Sequence, residues 1–481
     1  MFRQALLRLP RQRGLRRSLG SAACLAAGVH VPFDVAMEIA RALNPRGWLL
    51  GGAHGRHALW IAWKRTAPGI VSFTVVLVDG LAAGAYFPRA WRLTTFAPLA
   101  FALAALVGRR RISLSRIEWW FLGLLTALTA WTAASTVWSD TPPTSWLEAE
   151  RDVVYLAGVA ALLLALERES LAVLLAGALG GITAVAGYGL TTYVIYDHPL
   201  NPIQGKLLFE PLGYANGLGI YAAIGILLAI GLALTVRGRP LRLACLAPVA
   251  ILAPALYLTE SRAAEASLAI GLVFLVRFGR PIPKALAAAL AAGAAIVVAI
   301  VAVAAASAEH GGARLFVGEN RPHYWGVAWR EVEMNRLLGS GAGTFERYWL
   351  HYRPVGSFAR DAHSLYLQTL AELGPIGLAL LLVALALPLV VLWGRRDPLL
   401  ATAAAAYVAY LVHTGVDWDW ELPAVTLTGL LCGSSLVVGV RSREAPELRL
   451  WVRFVLVAAA TALAVLALVR LETGPRLPFA S

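Results

Sequence analysis

Charged residues and cysteines are scarce in this sequence. Charged residues form 15% of the 481 positions and hydrophobic residues form 59%, whereas soluble domains have about 25% and about 45–50% respectively. This composition excludes a soluble enzyme and a disordered chain. The three cysteines, Cys24, Cys245 and Cys432, have no CxxC or other paired spacing, so we predict neither a disulfide nor a thiolate metal site.

Long apolar runs, in contrast, recur along most of the chain. Thirteen of them are candidate membrane spans by length, at residues 69–87, 94–108, 118–137, 153–166, 171–195, 218–236, 243–258, 263–276, 285–306, 364–393, 399–417, 422–440 and 454–470. We therefore predict an all-α, polytopic membrane helical bundle of about 12–13 transmembrane helices.

The excess of basic residues, which gives a net charge of +14, orients these spans. With the N-terminus inside, the short inner loops carry 17 Lys and Arg residues and the short outer loops carry 5. Because Lys and Arg mark cytoplasmic loops, we predict a cytoplasmic N-terminus, with Met37 as an alternative start. The predicted segments are a basic, mobile cytoplasmic arm (1–66), the first part of the bundle (67–306), a large outer loop (307–363), the second part of the bundle (364–470) and an outer tail (471–481).

The outer loop 307–363 contains seven arginines and no lysine. Arginine binds phosphate through two parallel hydrogen bonds, so an arginine-rich, aromatic-rich loop suits a lipid-linked phosphate that carries a sugar. For a single arginine, contact with solvent or lipid headgroups is the simpler alternative; Arg321 is the exception, because Trp325 follows it by one turn. The pattern predicts a helix around Pro322–Leu337, with one face formed by Trp325, Ala328, Trp329 and Val332.

His363 ends this loop where the next span begins. A neutral histidine at a membrane surface can take a proton from a hydroxyl group, and Asp361 is a candidate to orient it. The alternative is a helix-capping or interfacial histidine. Glu372 lies within the following span, where an ionisable residue is a functional candidate by default. The alternative is that it only pairs with an arginine. Gly339-Ser-Gly-Ala-Gly343 is interpreted as a tight turn, since no strand precedes it.

Two further sites lie at outer helix ends. Arg262 occupies a very short outer turn, and its spacing allows a pair with Glu265 or with a bound anion. His413 and Asp417 are four residues apart near the end of another span. They are candidates to bind a cation or an acceptor sugar, and a buried structural pair is the alternative.

Several of these pieces occur in an order that resembles the O-antigen ligase/polymerase family, over roughly residues 200–435. They are Gly213-Tyr-Ala-Asn216, Ser261-Arg262, the run from Arg321 through Trp325, the turn Leu338–Phe345, and His363-Ser-x-Tyr-Leu-x-x-x-x-Glu372-Leu-Gly374-x-x-Gly377. That family comprises bacterial multi-span glycosyltransferases that use undecaprenyl-diphosphate-linked glycans. Ser364 departs from its pattern, which commonly has Asn after the histidine.

The resemblance implies a metal-independent, inverting glycosyl transfer at the outer face of the cytoplasmic (inner) membrane, with no cofactor. His363 would be the catalytic base, and Arg262 and Arg321 would bind the donor diphosphate. Asp361, Glu372, Trp325, His413 and Asp417 are the supporting candidates. The partners would be an undecaprenyl-diphosphate-linked glycan donor, a glycan, lipid or protein acceptor and the lipid bilayer, with no nucleic acid. Aromatic residues are expected to pack on sugar rings, namely Tyr324, Trp325 and Trp349.

The sequence leaves other functions open. A transporter, such as a lipid-linked oligosaccharide flippase, is the second interpretation, although midplane charges and internal repeats would mark it more clearly. A non-catalytic membrane scaffold is the third, and it would not need Arg262, Arg321 and His363 to meet in space. Within the enzyme class, the sequence does not separate ligase from polymerase.

Overall fold

The computed structural model describes residues 53–109, 111–196, 201, 204–279, 320–442 and 444–473. Within these ranges the chain is α-helical, and apart from two isolated β-bridges it contains no β-structure. The all-α class is thus confirmed. The helices are α1 (Ala53–Leu81), α2 (Pro88–Thr94), α3 (Phe96–Gly108), α4 (Arg116–Ala134), α5 (Pro142–Ala165), α6 (Leu171–Ile195), α7 (Ala215–Thr235), α8 (Arg239–Leu246), α9 (Val249–Leu258), α10 (Arg262–Phe278), α11 (Arg321–Met334), α12 (Phe345–Tyr352), α13 (Leu365–Val390), α14 (Pro398–His413), α15 (Pro423–Gly439) and α16 (Leu450–Thr473).

The chain divides into two units, Met1–Ala67 and Pro68–Ser481. In the first unit the structure describes only the residues from Ala53 onward, which are helical and belong to α1. Most of the predicted cytoplasmic arm, including Met37, lies outside the described residues. All that follows concerns the second unit.

The described part of the chain contains seven helices that are long and apolar enough to cross a membrane. Three shorter apolar helices accompany them, at Thr66–Leu81, Pro398–His413 and Pro423–Gly439. The protein is a multi-pass membrane protein. The predicted span at 285–306 lies outside the described residues, and the total of 12–13 spans stays a prediction.

The centre of the bundle is formed by α7, which is apolar on every side, as a fully enclosed helix requires. Small residues let its neighbours approach closely. At Gly231, for example, an added Cβ would lie 2.4 Å from the Thr402 side chain of α14. α16 has the opposite environment, because only 6% of its apolar 18-residue stretch is buried within the protein. Its apolar surface is therefore available to lipid.

Ion pairs and hydrogen bonds between connecting segments gather at two ends of the bundle. At one end, Arg109 pairs with Glu167, Arg168 with Asp397 and Arg441 with Glu118. At the other end, Arg92 pairs with Glu150, Tyr214 with Asp417 and Tyr348 with Asp140. The predicted alternation of inner and outer loops, and the side of the membrane that each end faces, stay predictions.

A small cap covers the second end. It is formed by α11, α12 and the segments that follow each of them, and its own core consists of Tyr324, Val327, Ala328, Phe345, Tyr348, Trp349, Ala359 and Ala362. The helix predicted around Pro322–Leu337 is present and extends over Arg321–Met334. The first part of the predicted outer loop, residues 307–319, lies outside the described residues.

The apolar face that the sequence predicts for α11 coincides only in part with its buried face. The buried residues are Arg321, Tyr324, Val327, Ala328 and Glu331, while Trp329 is 54% exposed. The reason is that Arg321 and Glu331 find polar partners inside the protein, which removes the usual cost of burying a charge. Apolar pattern alone cannot reveal such partners.

Candidate functional site

A buried carboxylate, Asp417, gathers side chains from three separate parts of the chain. It lies just beyond the end of α14 and is fully buried. Its two oxygens accept hydrogen bonds from the Tyr214 hydroxyl (2.6 Å), the Asn216 amide (2.7 Å), the Arg321 guanidinium (2.5 Å) and the Trp418 backbone N–H (2.8 Å). A carboxylate with four donors is held in the ionised state.

Arg321 begins α11 and is almost completely buried, so its charge needs the Asp417 carboxylate. Burial alone would lower the pKa of Arg321, but the negative charge of Asp417 outweighs it and leaves the pKa above the ordinary value. Burial likewise favours the neutral form of Asp417, but attraction to Arg321 first, and then to His413 and His363, holds its pKa below the usual range. The pair is therefore charged on both sides.

His363 lies in the turn between the cap and α13. Its Nδ1 is 3.0 Å from the backbone carbonyl oxygen of Asp361, and its ring stacks on Tyr324 with centroids 4.7 Å apart. Because a carbonyl oxygen only accepts hydrogen bonds, Nδ1 carries the proton, and Nε2 of the neutral ring keeps its lone pair. The histidine is thus held in the tautomer that a general base requires.

Burial lowers the pKa of His363, with the Asp417 charge opposing this effect and the Arg321 charge reinforcing it. The ring stack on Tyr324 places His363 against the first turn of α11, which begins with Arg321. The His363 backbone is in the left-handed region, with φ at +56°. Such strain in a residue other than glycine is uncommon and concentrates at functional sites.

Ser364 fixes the start of α13 directly after His363. Its hydroxyl accepts from the Leu367 N–H (3.5 Å), and the Leu365 N–H donates to the Thr414 carbonyl (2.8 Å) near Asp417. Ser and Asn are both favoured at this helix-capping position. The departure from the family pattern at Ser364 therefore preserves a capping residue.

Asp361 contacts His363 through its backbone carbonyl, whereas its carboxyl group points elsewhere. That carboxyl group is 3.4 Å from the Gln368 amide nitrogen. Burial first, and then the nearby Glu421, raise the pKa of Asp361 to about 7, against the opposing effect of Arg360. Asp361 thus positions the histidine through its backbone carbonyl, and its side-chain carboxyl group takes no part in this contact.

Glu372 has a structural environment inside α13. Its carboxyl group accepts hydrogen bonds from the backbone N–H groups of Gly343 (2.8 Å) and Phe345 (3.0 Å) at the start of α12. Among the described residues, no arginine pairs with it. The carbonyl of Glu372 also accepts from the Gly341 N–H (2.8 Å). The glycine-rich segment Gly339–Gly343 is the predicted tight turn, and Glu372 is its anchor.

Arg262 pairs with Glu265 rather than with Asp417. Its guanidinium lies 3.0 Å from the Glu265 carboxylate, as the spacing predicted, and its side chain is 40% exposed. Among the described residues, no hydrogen bond or ion pair joins Arg262 to Arg321 or His363. Arg262 begins α10, and the residue before it lies close to α7, because an added Cβ at Gly219 would be 2.8 Å from the Ser261 side chain.

His413 pairs with Asp419 rather than with Asp417. Its Nδ1 is 3.1 Å from the Asp419 carboxylate, and both side chains are fully buried. The expected His413–Asp417 cation or sugar site is thus replaced by two neighbouring buried ion pairs. No group of three or more metal-ligating side chains occurs in the parts of the chain that are described.

Two of the three aromatic residues expected to pack on sugars, Tyr324 and Trp349, belong to the cap core. Trp349 is fully buried against Tyr324, with ring centroids 4.7 Å apart, and its indole donates to the Ser357 carbonyl (2.9 Å). Tyr324 in turn supports His363. Trp325 is half-buried, and its indole nitrogen has no hydrogen-bond partner among the described residues.

Tyr214 and Asn216 are site residues for which the sequence analysis predicted no individual role. They belong to the segment Gly213-Tyr-Ala-Asn216, which resembled the family pattern. Their distance from Asp417 along the chain hid the contact.

Comparison with known proteins agrees with this geometry. Residues 247–382 match the family model for O-antigen ligase. The resemblance to the O-antigen ligase/polymerase family is thereby confirmed. The O-antigen ligase match includes Arg262, Arg321 and His363, whereas Asp417 lies beyond its end. No curated protein matches the chain.

Proposed function

We propose that this protein is a membrane glycosyltransferase of the O-antigen ligase or polymerase type. It moves a glycan from an undecaprenyl-diphosphate donor to an acceptor hydroxyl at the outer face of the bacterial inner membrane. The observation that carries the proposal is His363, oriented through Nδ1 for base catalysis at Nε2, beside the buried Arg321–Asp417 pair. The family match covers both His363 and Arg321.

The chemical step is a single displacement with inversion. Nε2 of His363 removes the proton of the acceptor hydroxyl while that oxygen bonds to the anomeric carbon of the donor sugar. The bond between that carbon and the diphosphate oxygen breaks, and its electron pair leaves with the diphosphate. The proton remains on His363 until it passes to solvent.

Arginine charge supports the departure of the diphosphate. Arg321 has five N–H donors, and the hydrogen bond to Asp417 engages Nη2. Arg262 offers a half-exposed guanidinium at the start of α10. Fixed cations in a region of low dielectric stabilise negative charge strongly as it develops, so these side chains supply the positive charge in a metal-independent step.

The acceptor is a glycan, a lipid or a protein, and the acceptor alone separates polymerase from ligase. The test is a transfer assay with the purified full chain, an undecaprenyl-diphosphate oligosaccharide and a panel of acceptors, without nucleotide or metal. We expect undecaprenyl diphosphate to be released as the acceptor gains the glycan, as measured by mass spectrometry. Transfer to a second lipid-linked glycan identifies a polymerase, and transfer to another acceptor identifies a ligase.

Failure of every acceptor, with a positive control active, would contradict the proposal. A liposome assay of lipid-linked oligosaccharide movement would then test the flippase alternative. The His363→Asn variant is the matched negative control in the transfer assay, because it removes the base and is expected to leave the bundle folded.

A further inference from the structure

The cap contains a groove that the proposed chemistry does not use. Its volume is about 410 Å³, and its walls include Asp140, Met334, Arg347, Tyr348, His351 and Tyr352. This volume is within the range of about 300–1,000 Å³ that small-molecule sites occupy. We refer to it as the Tyr348–Tyr352 groove.

The helix α12 divides its aromatic residues between two faces. Phe345 and Trp349, four residues apart, are fully buried and face the cap core that supports His363. Tyr348 and Tyr352, also four residues apart, lie on a face rotated by about 60°. Tyr348 forms the edge of the cap core, and both tyrosines line the groove. The groove is thus separate from the histidine, but both depend on the same short helix.

The groove walls combine flat rings with paired hydrogen-bonding groups. The rings of Tyr348 and Tyr352 are 6.3 Å apart and tilted by 32°, and the His351 ring meets Tyr352 edge-on at 4.5 Å. The Arg330 guanidinium covers one side of Tyr352 at 4.2 Å. Exposed charges of both signs come from Asp140 and Arg347.

These walls are fixed before any ligand arrives. The Tyr348 hydroxyl donates to the Asp140 carboxylate (3.2 Å) and accepts from the Asn335 amide (2.9 Å). The Arg347 guanidinium donates to the Asp140 backbone carbonyl (3.0 Å). Such contacts join the cap to the segment before α5 and lower the ordering cost of binding.

A pyranose ring matches this arrangement. It presents C–H groups, which pack on aromatic faces, and adjacent hydroxyls, which pair with carboxylate and guanidinium groups. We propose that the Tyr348–Tyr352 groove binds a sugar ring of the glycan chain, at a unit other than the one that reacts. This inference rests on the proposed function. The ring can belong to the donor glycan or to the acceptor glycan, and the experiment separates the two.

The test compares substrates of different length in full-chain variants. In one series, the undecaprenyl-diphosphate donor carries either one sugar or a tetrasaccharide, and the acceptor is kept constant. In the other series, the acceptor carries either one sugar or a tetrasaccharide, and the donor is kept constant. The variants are Tyr352→Ala and His351→Ala, with Tyr352→Phe retaining the ring. Trp329→Ala is the matched control, because Trp329 is an exposed aromatic residue of the same cap that does not line the groove.

We expect Tyr352→Ala and His351→Ala to raise KM for one tetrasaccharide substrate, either the donor or the acceptor. The increase should be about 3- to 10-fold, which is the contribution of one aromatic contact. The kcat value, and the KM for the single-sugar substrates, should remain unchanged. Tyr352→Phe and Trp329→Ala should behave as wild type. The substrate whose KM rises, donor or acceptor, is the one whose glycan occupies the groove.

Unchanged KM values in both substrate series would overturn the inference. An equal increase in KM for the single-sugar substrates would also overturn it, since a distal sugar unit would then have no role. Absence of transfer by the wild type would instead contradict the proposed function. Thermal unfolding of each variant separates lost binding from a lost fold.

Discussion

Arg321 and Asp417, which are 96 residues apart in the chain, form a buried ion pair with 2.5 Å between guanidinium nitrogen and carboxylate oxygen. The arginine opens the first helix of the cap, and the aspartate follows a helix of the bundle. This contact joins the cap to the bundle. In the proposed function the same arginine binds the donor diphosphate, so both stability and substrate binding would depend on this pair.

Replacement of Asp417 is expected to destabilise the protein strongly. Asp417→Ala leaves the Arg321 cation buried without a partner, and breaking a buried pair in this way costs about 3–5 kcal/mol. Asp417→Asn keeps an oxygen that accepts from Tyr214, so its cost should be smaller. Thermal unfolding in detergent measures both. Glu265→Ala is the control, because it removes the partner of the half-exposed Arg262 and should cost no more than about 1 kcal/mol. Equal effects at the two sites would contradict the importance of burial.

The choice of substitution at His363 separates chemistry from backbone conformation. Asn accepts the left-handed conformation that His363 adopts better than most residues, but it is no base. His363→Asn should therefore unfold at a temperature close to that of the wild type and lose activity by about 10²- to 10⁴-fold, the usual worth of a general base. The transfer assay and a thermal melt measure the two properties. Near-normal transfer by this variant would exclude His363 as the base.

The pH profile should show a base that stays neutral in mildly acidic solution. Burial lowers the pKa of His363, so the fraction in the neutral form falls only when pH drops below the ordinary histidine value of about 6.5. We expect kcat/KM to be constant above that value and to decrease as pH falls through the lowered pKa. The charges near the ring are those of Asp417 and Arg321, and both keep their charge in this range.

Asp361 is the control for that profile, because its pKa is about 7. In Asp361→Asn the backbone carbonyl that orients His363 remains. The acid limb should therefore persist in this variant at the same pH. A limb near pH 7 that disappears in Asp361→Asn would assign the titration to the carboxyl group of Asp361.

The sequence was most informative where local pattern determines structure. Apolar run length predicted the membrane helices, and the His363–Ser364 sequence marked the start of α13. The aromatic loop predicted a folded cap, and its helix is present as α11. These features depend on interactions among residues that are close in the chain.

The sequence was less informative where distant segments meet. The spacing of His413 and Asp417 implied that both lie on one helical face, but α14 ends at His413, and Asp417 turns toward Arg321. In the same way, the apolar pattern of α11 placed Trp329 on one face with Ala328, but Trp329 is 54% exposed. The buried Glu331 instead accepts hydrogen bonds from Ser340 and Thr344. Polar burial depends on tertiary partners that one sequence does not show.

Glu372 is expected to act through the fold. Glu372→Ala leaves the N–H groups of Gly343 and Phe345 without their acceptor, and each such loss costs about 1–3 kcal/mol when buried. Glu372→Gln keeps one acceptor oxygen and should lie between Glu372→Ala and the wild type. The expected result is a lower unfolding temperature with kcat of the folded protein preserved within several-fold. A large decrease in kcat at unchanged stability would instead assign Glu372 a role in the reaction.

Gly339 provides a test of the turn that Glu372 anchors. Its φ is +74°, and an added Cβ would lie 2.3 Å from the backbone of Glu372. Gly339→Ala should therefore push the turn away from α13 and lower the unfolding temperature. Gly326 in α11 is the matched control, since an added Cβ meets nothing within 4 Å there and alanine favours a helix by about 0.5–1 kcal/mol. Gly326→Ala should leave stability unchanged or raise it. If Gly339→Ala were equally harmless, the close approach of turn and helix could not be what holds the cap in place, and His363 would have to depend on Asp417 and Tyr324 alone for its position.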